Sequence, residues 1–459
     1  MAKLISTNPA KGYEVIADVE TSSESEIKQK VALAQNAKLQ WKETSITKRI
    51  EIIKEVLSEF EKHSEEISLL VTKEVGKPIS EGRGEVSDAF GKINYFLKNV
   101  EKSLADEITF EDNSSIHRIT YEPMGVTAVI TPWNYPFGMA IWGIIPNLLV
   151  GNTVVFKTSE ECPLMGKLIE EIIASKNLPE GVFSTIHGAG DVGETLARSN
   201  IDLIWFTGSS HVGKLLYKIA AEKFIKVIFE LGGSNPGIVF EDANIPEIVP
   251  HLLSERFDNC GQSCDALKRL IVHESIFSKL VDALKKEVEN KIIGDPQNPK
   301  TQIGSLVAKR QVDLLDAQVQ DAISKGAKAI TGGSKPKDLS GAYYLPTLLT
   351  NITKDMRVWK EEGFAPALPI ISFKTEEEAI TLANDTVYGL GAKVFSSNMD
   401  RAKRVASRIQ AGTVEINGVS RWTSCNNPFG GYKISGMGRE HGIMGFRELC
   451  QVKVITMNK

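Results

Sequence analysis

Two short glycine-containing segments carry side chains that could perform covalent catalysis together. Glu230 precedes Leu-Gly-Gly, and Cys264 closes the segment Asn-Cys-Gly-Gln-Ser-Cys that begins at Asn259. A thiol reacts when a base or an electropositive environment favours its thiolate. A thioester formed on that sulfur then needs an activated water to release its acyl group, and a carboxylate can activate water. The pattern therefore indicates a cysteine nucleophile with a separate general base.

A third candidate is Asn134, in the segment Thr-Pro-Trp-Asn-Tyr-Pro that begins at Thr131. Its side-chain amide could donate a hydrogen bond to an oxyanion, although asparagine beside proline is also a common turn former. Cys260 could be a redox partner of Cys264, a metal ligand with it, or a spectator. We favour the spectator and predict no metal site, because two cysteines without a matching Cys/His pair make a poor zinc motif.

The elements that must position these residues change in character along the chain. The first hundred residues predict helices after a short start, with a capping-box pattern at Ser23 and Glu26. From about Thr127, short β-branched runs alternate with helix-like stretches, which predicts a doubly wound parallel sheet. The predicted strands are Val126–Ile130, Thr153–Phe156, Val182–Ile186, Leu203–Phe206 and Val227–Phe229.

Polar or glycine residues follow each of these strands, namely Asn134, Lys157, Gly188, Ser209 and Glu230. Parallel sheets of this kind bind ligands at the carboxyl ends of their strands, so we expect these residues at one edge. A second α/β segment is predicted from about Gly237 to Ile434. His117–Tyr121 is predicted as a strand outside both sheets, and the tail Cys450–Met457 could pair with it or with another subunit.

Composition narrows the class of protein. The chain has 459 residues and a net charge of −4, so it can form two domains and has no basic stripe for nucleic acid or an anionic membrane. Its start lacks the apolar core of a signal peptide. Five cysteines without a disulfide framework indicate the reduced cytoplasm.

Together these motifs resemble the NAD(P)-dependent aldehyde dehydrogenase superfamily. The segment from Asn427 to Glu440 also matches the family's C-terminal landmark, which we interpret as structural. The resemblance implies an α/β aldehyde dehydrogenase fold with a doubly wound cofactor domain (1–107 and 123–231) and an α/β catalytic domain (232–434). It also implies a small β oligomerisation element (108–122 and 435–459) and a homodimer or homotetramer.

The resemblance assigns catalytic roles as well. Cys264 would attack the aldehyde, and Glu230 would activate the water that hydrolyses the thioester. Asn134 and the backbone N–H of Cys264 would hold the oxyanion. Relatives that transfer the acyl group to coenzyme A generally lack the glutamate, and catalytically silent relatives would be expected to lose the cysteine or the glutamate.

The cofactor expected from the resemblance is NAD, with NADP as an alternative. A glutamate at position 160 suits a free ribose 2′-hydroxyl and repels a 2′-phosphate, whereas Lys157 and Ser159 could tolerate NADP. The predicted cofactor-binding residues are Thr131, Trp133, Lys157, Glu160, Gly190, Ser209, Gly213, Leu231, Glu362 and Phe364.

The resemblance implies a small aldehyde as substrate but leaves its identity open. The chain most resembles the short bacterial succinate-semialdehyde dehydrogenase group, and Arg421 could anchor a carboxylate. Trp142 and Asp258 stand where long-chain enzymes of that activity carry arginines, which favours an amino or aliphatic aldehyde. Gly143 replaces a lysine common beside this tryptophan, so the proton relay is expected to differ.

Overall fold

The computed structural model describes residues 2–418 and 425–459. The short start before the predicted helices is itself an antiparallel pair of strands, whose mostly exposed residues show little apolar alternation. Ser23 accepts a hydrogen bond from the Glu26 amide and so begins the first helix as predicted. These elements are β1 (Lys3–Asn8), β2 (Glu14–Glu20), α1 (Glu24–Glu43), α2 (Ile46–Lys62), α3 (Ser64–Val75) and α4 (Ile79–Ser103).

A hairpin and the first large sheet follow. The hairpin comprises β3 (Glu107–Glu111) and β4 (Ser115–Pro123), so the predicted strand at 117–121 has a neighbour. The sheet and its helices are β5 (Val126–Ile130), α5 (Pro136–Val150), β6 (Thr153–Lys157), α6 (Pro163–Ala174), β7 (Phe183–Ile186), α7 (Gly190–Arg198), β8 (Leu203–Thr207), α8 (Ser210–Lys223) and β9 (Lys226–Glu230).

The five strands of this sheet are parallel, in the order β9-β8-β5-β6-β7. Each predicted strand is present to within one residue at either end. Successive side chains point to opposite faces, so Val129 packs with helices α2 to α6 while Ala128 and Ile130 pack with α1, α7 and α8. The predicted doubly wound α/β sheet is confirmed.

The second sheet carries the other half of the chain. Its seven strands are ordered β12-β13-β14-β11-β10-β15-β16, and β12 alone is antiparallel to its neighbour. Its elements are β10 (Asn235–Val239), α9 (Ile245–Phe257), β11 (Leu267–His273), α10 (Phe277–Glu289), α11 (Lys309–Ser324), β12 (Lys328–Thr331), β13 (Thr347–Thr350), α12 (Arg357–Lys360), β14 (Ala367–Phe373), α13 (Glu376–Asn384), β15 (Gly391–Phe395), α14 (Met399–Ala406) and β16 (Thr413–Ile416).

The C-terminal segment returns to the first half of the chain. Its strand β17 (Gly436–Met437) pairs with β9, and helix α15 (Gly442–Glu448) packs on α4. Strand β18 (Cys450–Asn458) pairs with β4 in the same chain and completes a three-stranded sheet with β3. The C-terminal segment therefore contributes one strand to the first large sheet and one to this small sheet. Within 2–418 and 425–459, no helix is long and apolar enough to cross a bilayer.

Candidate active site

A cleft of about 1010 Å³ lies where the ends of β8 and β9 face segments of the second sheet. It is lined by most of the residues that the sequence singles out, namely Trp133, Asn134, Trp142, Ser209, Glu230, Leu231, Asp258, Cys264, Glu362 and Phe364. Five predicted cofactor residues do not line it, namely Thr131, Lys157, Glu160, Gly190 and Gly213. Arg421 lies outside the described residues.

The loop before Cys264 is locally strained. Asn259, Cys260 and Gly261 are consecutive left-handed residues, with φ of 51°, 55° and 75°. A left-handed non-glycine residue costs about 1–2 kcal/mol, so this shape needs support from its surroundings. The Asn259 amide supplies it, donating to the carbonyl oxygens of Asn134 at 2.8 Å and Gln262 at 3.1 Å. The loop thereby presents Cys264 to the cleft.

The Cys264 thiol lies among charged groups. Burial raises its pKa, and the carboxylates of Asp265 and Glu230 raise it further, while the Lys268 ammonium acts in the opposite direction. Burial also lowers the pKa of Lys268 to about 8. Cys264 is therefore a protonated thiol at neutral pH, and it must lose its proton when an aldehyde arrives.

Cys260 faces away from this chemistry. Its side chain is 1% exposed and packs in the apolar core of the second sheet, and it does not line the cleft. Both Cys260 and Cys264 are free thiols. This placement fits the spectator role that the sequence favours.

Asn134 lies directly beside the cysteine loop. Its Nδ2 donates to the Gln262 backbone carbonyl oxygen at 3.0 Å, and its backbone carbonyl oxygen accepts from the Asn259 side-chain amide. An amide nitrogen carries two hydrogens, so one remains for an oxyanion in the cleft. These contacts fix the asparagine and the nucleophile loop relative to each other.

Glu230 is a buried carboxyl at the end of β9. It is 2% exposed, and neither oxygen has a hydrogen-bond partner among the described residues. Burial raises its pKa, the nearby Glu440 carboxyl raises it further, and Arg439 opposes both. A Cβ at Gly430 would lie 2.7 Å from Glu230 Oε1, so the glycine lets the C-terminal backbone pass against the carboxyl.

Glu440 is a site residue that the sequence interpretation did not assign a role. The C-terminal landmark was predicted to be structural, yet it places a second buried carboxyl beside Glu230. Both Glu440 oxygens lack partners in the part of the chain that the structure describes. The only sequence signal was a carboxylate following a glycine-rich segment, which is common on protein surfaces.

Gly143 stands where related sequences commonly carry a lysine, and packing explains the glycine. A Cβ at Gly143 would lie 2.8 Å from Trp205 Cε3, because this indole packs against the α5 backbone. Any side chain there would displace Trp205 or Val129. The carboxyl pair of Glu230 and Glu440 is therefore built without a lysine from this position.

The side of the cleft next to β8 suits a dinucleotide. Helix α8 begins there, and its N-cap Ser209 accepts from the Val212 amide while Thr207 and Gly208 line the cleft. Helix N-termini favour phosphate groups. The Thr207 hydroxyl is buried without a partner in the described ranges, so it is available to a ligand.

Glu362 and Phe364 lie on the opposite wall. Glu362 accepts from the Gly233 amide at 2.9 Å and lies 3.6 Å from the Lys268 ammonium, which also stacks over the Phe364 ring. A Cβ at Gly232 would collide with Glu362. The glycine pair thus lets this carboxylate reach across to the end of β9.

Lys157, Thr131 and Glu160 lie at the same strand edge but beyond the cleft walls. The Thr131 amide donates to the Lys157 carbonyl oxygen at 3.0 Å, joining the ends of β5 and β6. Glu160 is exposed and lies 3.5 Å from the Ser159 hydroxyl. Gly190 begins α7, and Gly213 packs under Leu231 within α8. These positions lie around the outer end of the dinucleotide side.

Carboxyl groups dominate the other side of the cleft. Those that line it are Glu81, Glu85, Asp88, Glu255, Asp258 and Glu415. Asp258 accepts from the Ser254 hydroxyl at 2.6 Å. In the described part of the chain, Lys92 is the one lysine or arginine that lines the cleft, and it pairs with Asp88.

One group among the described residues has the spacing of metal ligands. Atoms of His251, Glu255 and Glu415 lie within 4.8 Å of one another. The Lys393 ammonium already pairs with both carboxylates, at 2.8 Å and 2.7 Å. This arrangement favours an ion-pair network at the cleft mouth over a metal centre.

Comparison with known proteins agrees with this geometry. The NADP(+) succinate-semialdehyde dehydrogenase of Deinococcus radiodurans is 34% identical over 449 residues, which cover 98% of this chain and 93% of that protein. The peroxisomal aminoaldehyde dehydrogenase 1 of Pisum sativum is 36% identical over 427 residues, 91% of this chain and 84% of that protein. Betaine aldehyde dehydrogenase from Staphylococcus aureus, solved in complex with NAD+, superposes with a TM-score of 0.95 at 33% identity, covering 99% of this chain and 92% of that chain. Because the aldehyde dehydrogenase family matches residues 2–455, the chain belongs to that family.

Proposed function

We propose that this aldehyde dehydrogenase oxidises a short cationic amino aldehyde to the free carboxylic acid, with NAD+ as the hydride acceptor. The observation that carries the proposal is the acidic lining of the substrate side. Six carboxyl groups line it, and among the described residues only three ammonium groups, those of Lys77, Lys92 and Lys393, pair with them. Charged cleft walls concentrate ligands of opposite sign and repel those of the same sign.

Acylation begins at Cys264. Its raised pKa keeps the thiol protonated until an aldehyde binds. The thiol then releases its proton to water in the cleft, and the sulfur attacks the carbonyl carbon. Asn134 Nδ2 stabilises the developing oxyanion, and removing one such donor typically costs about 3–4 kcal/mol. NAD+, when bound, accepts the hydride that converts the adduct to a thioester.

The second half of the reaction is hydrolysis of the thioester, with Glu230 as the general base. Its unpartnered carboxyl lines the same cleft as Cys264, so it can take a proton from the attacking water. Retention of both residues argues against a catalytically silent relative. Retention of Glu230 in particular argues against transfer of the acyl group to coenzyme A.

The NAD preference rests on Glu160. An exposed carboxylate at the ribose position would repel a 2′-phosphate, while the α8 N-terminus and Glu362 suit the rest of the dinucleotide. The structural relative solved with NAD+ supports this choice.

Replacing Glu160 with serine should lower the ratio of kcat/KM with NAD to kcat/KM with NADP by about fivefold, since one unfavourable charge contact is worth about 1 kcal/mol. The measurement is kcat/KM for each cofactor in both proteins. Replacement of Glu161, which pairs with Arg310 instead, is the control and should leave the ratio unchanged. A wild-type protein that prefers NADP would contradict the assignment and indicate Lys157 and Ser159 as phosphate ligands.

Substrate charge is tested with three aldehydes of four carbons: 4-aminobutanal, butanal and succinate semialdehyde. We expect wild-type kcat/KM to fall in that order. Asp258→Asn should lower kcat/KM for the cation by about three- to tenfold and raise it for the anion, because a partly buried charge contact is worth about 1 kcal/mol. The neutral aldehyde should change little.

Asp106→Asn is the matched control, since this aspartate pairs with Arg118 near the small sheet and does not line the cleft. It should leave all three values unchanged. Parallel changes for all three aldehydes in the Asp258 variant would assign Asp258 to loop structure and remove the charge argument.

Succinate semialdehyde is the second candidate, and Lys92 is the observation that favours it. This ammonium lines the cleft and could pair with a distal carboxylate, although Asp88 already neutralises it. Arg421, which lies outside the described residues, stays a predicted carboxylate anchor. Preference of the wild-type protein for the anionic aldehyde would select this candidate.

Assembly and location are also proposed. The exposed strand β18, with Val452 and Val454 on its surface, supports a homodimer or homotetramer built through the small sheet. Five free cysteines support a reduced compartment such as the cytoplasm.

A further inference from the structure

A cluster of buried polar atoms behind the substrate wall has no hydrogen-bond partner among the described residues. It comprises Trp142 Nε1, both oxygens of Glu440 and both ring nitrogens of His441. Leaving a buried polar atom unsatisfied costs about 1–3 kcal/mol. Three such side chains lining the same space therefore indicate a polar function.

The three side chains surround a second cavity as well as lining the main cleft. This cavity has a volume of about 10 Å³, close to the space that one water molecule needs. His441 and Glu440 are neighbours in the chain and line both spaces. They therefore lie between the small cavity and the main cleft.

The His441 ring packs between two aromatic rings. It meets the Trp142 ring edge-on at 4.3 Å and stacks on Phe96 at 5.9 Å. Its backbone is left-handed, with φ of 60°, and its carbonyl oxygen accepts from the Gly445 amide at 2.7 Å. The adjacent Glu440 backbone pairs with Phe429 in both directions. The backbone that carries the carboxyl and the imidazole is thus fixed.

The His441 imidazole is neutral. Burial and the charge of Lys92, which stacks over Trp142 at 4.4 Å, lower its pKa to about 3. A neutral imidazole has one nitrogen that donates and one that accepts. It can take a proton at one nitrogen while releasing another from the second, without holding a charge beside Lys92 or Arg439. A turn of the ring about its Cβ–Cγ bond then restores the first tautomer.

The reaction requires such a transfer. Oxidation of an aldehyde with NAD+ and water yields the carboxylate, NADH and two protons. During hydrolysis the water oxygen bonds to the acyl carbon, a water proton passes to Glu230, and the sulfur leaves with the electron pair of the C–S bond. Glu230 must lose that proton before the next turnover, and its neighbour is Glu440.

We propose that His441 is a proton-transfer residue: it connects the carboxyl pair of Glu230 and Glu440, through a water in the small cavity, with the outer cleft. It acts through these carboxyls and does not contact the reacting atoms. The route takes the place of a lysine at position 143, for which Trp205 leaves no room. The inference rests on the proposed hydrolysis and is independent of the charge of the substrate.

The test compares His441→Phe and His441→Ala with wild type in rapid mixing. Formation of NADH in the first turnover should keep the wild-type rate, whereas acid release from the acyl-enzyme should slow about tenfold. This loss is smaller than the ~100- to 10,000-fold expected for a general base itself. The solvent isotope effect on acid release should increase, and added imidazole should restore the rate in His441→Ala.

Phe96→Leu is the control, because it loosens the other face of the imidazole without removing a polar atom. It should release acid at the wild-type rate. Wild-type acid release in His441→Phe overturns the inference. So does equal slowing of both half-reactions without rescue by imidazole, which would mean a packing role. If wild type forms no free acid without coenzyme A, the proposed hydrolysis fails first and takes this route with it.

Discussion

Replacing Cys264 with alanine is expected to abolish aldehyde oxidation, by about 10,000-fold or more, because the loss of a covalent nucleophile has effects of that size. The fold should persist, since the loop that carries Cys264 is held by the amides of Asn134, Asn259 and Gln262. Binding of NADH should persist too, because the α8 N-terminus and Glu362 are untouched. Steady-state activity, thermal unfolding and NADH fluorescence measure the three quantities.

Cys260→Ala is the matched control for that experiment. This substitution removes a thiol four residues before Cys264. The Cys260 side chain, however, packs into the core of the second sheet. We expect substantial activity and a modest loss of thermal stability from the small cavity. An inactive Cys260 variant beside an active Cys264 variant would falsify the assignment of the nucleophile.

The first sheet could be predicted from sequence because its strands are buried on both faces. Such strands appear as short β-branched runs separated by helices, and all five were located to within a residue. Strand β2 is mostly exposed, strand β1 is only partly buried, and neither shows a clear apolar alternation. The two-residue strand β17 exists only through its pairing with β9. Neither kind has a local pattern that sequence periodicity can detect.

The site residues also differ in whether sequence patterns predict them. Asn134, Ser209 and Glu230 were predicted at one edge because parallel strands end on one side of a sheet, and all three line the cleft. Lys92, His441 and the bridge from Lys393 to Glu255 and Glu415 were not predicted. Each depends on contacts between elements distant in sequence, and a lone lysine or histidine on a helix more often covers a surface.

The carboxyl pair shows why chemistry and burial must be considered together. Glu440 follows a glycine-rich segment that looks like a structural turn, and only the fold places its carboxyl beside Glu230. Two like charges in a buried space raise each other's pKa. Glu230 therefore binds a proton more readily than an exposed glutamate does, and it lies beside a group able to share that proton.

Replacing Glu230 with glutamine is expected to separate the two half-reactions. Acylation should continue, so rapid mixing should show a burst of NADH close to one equivalent per active site. Turnover after the burst should fall by about 100- to 10,000-fold, the range for loss of a general base. The amide has the shape of the carboxyl but cannot accept the proton of the attacking water.

Stability provides the internal control for this variant. Burial and Glu440 raise the pKa of Glu230, so the folded protein binds a proton that the unfolded chain releases above the ordinary carboxyl pKa. The free energy of unfolding of wild type should consequently fall as pH rises through the raised pKa. In the Glu230→Gln variant, the part of this fall that comes from Glu230 should be absent. A variant that unfolds at equal or higher temperature yet stalls after one turnover would place the defect in water activation. Turnover at the wild-type rate would remove Glu230 from the mechanism and leave Glu440 as the remaining carboxyl base.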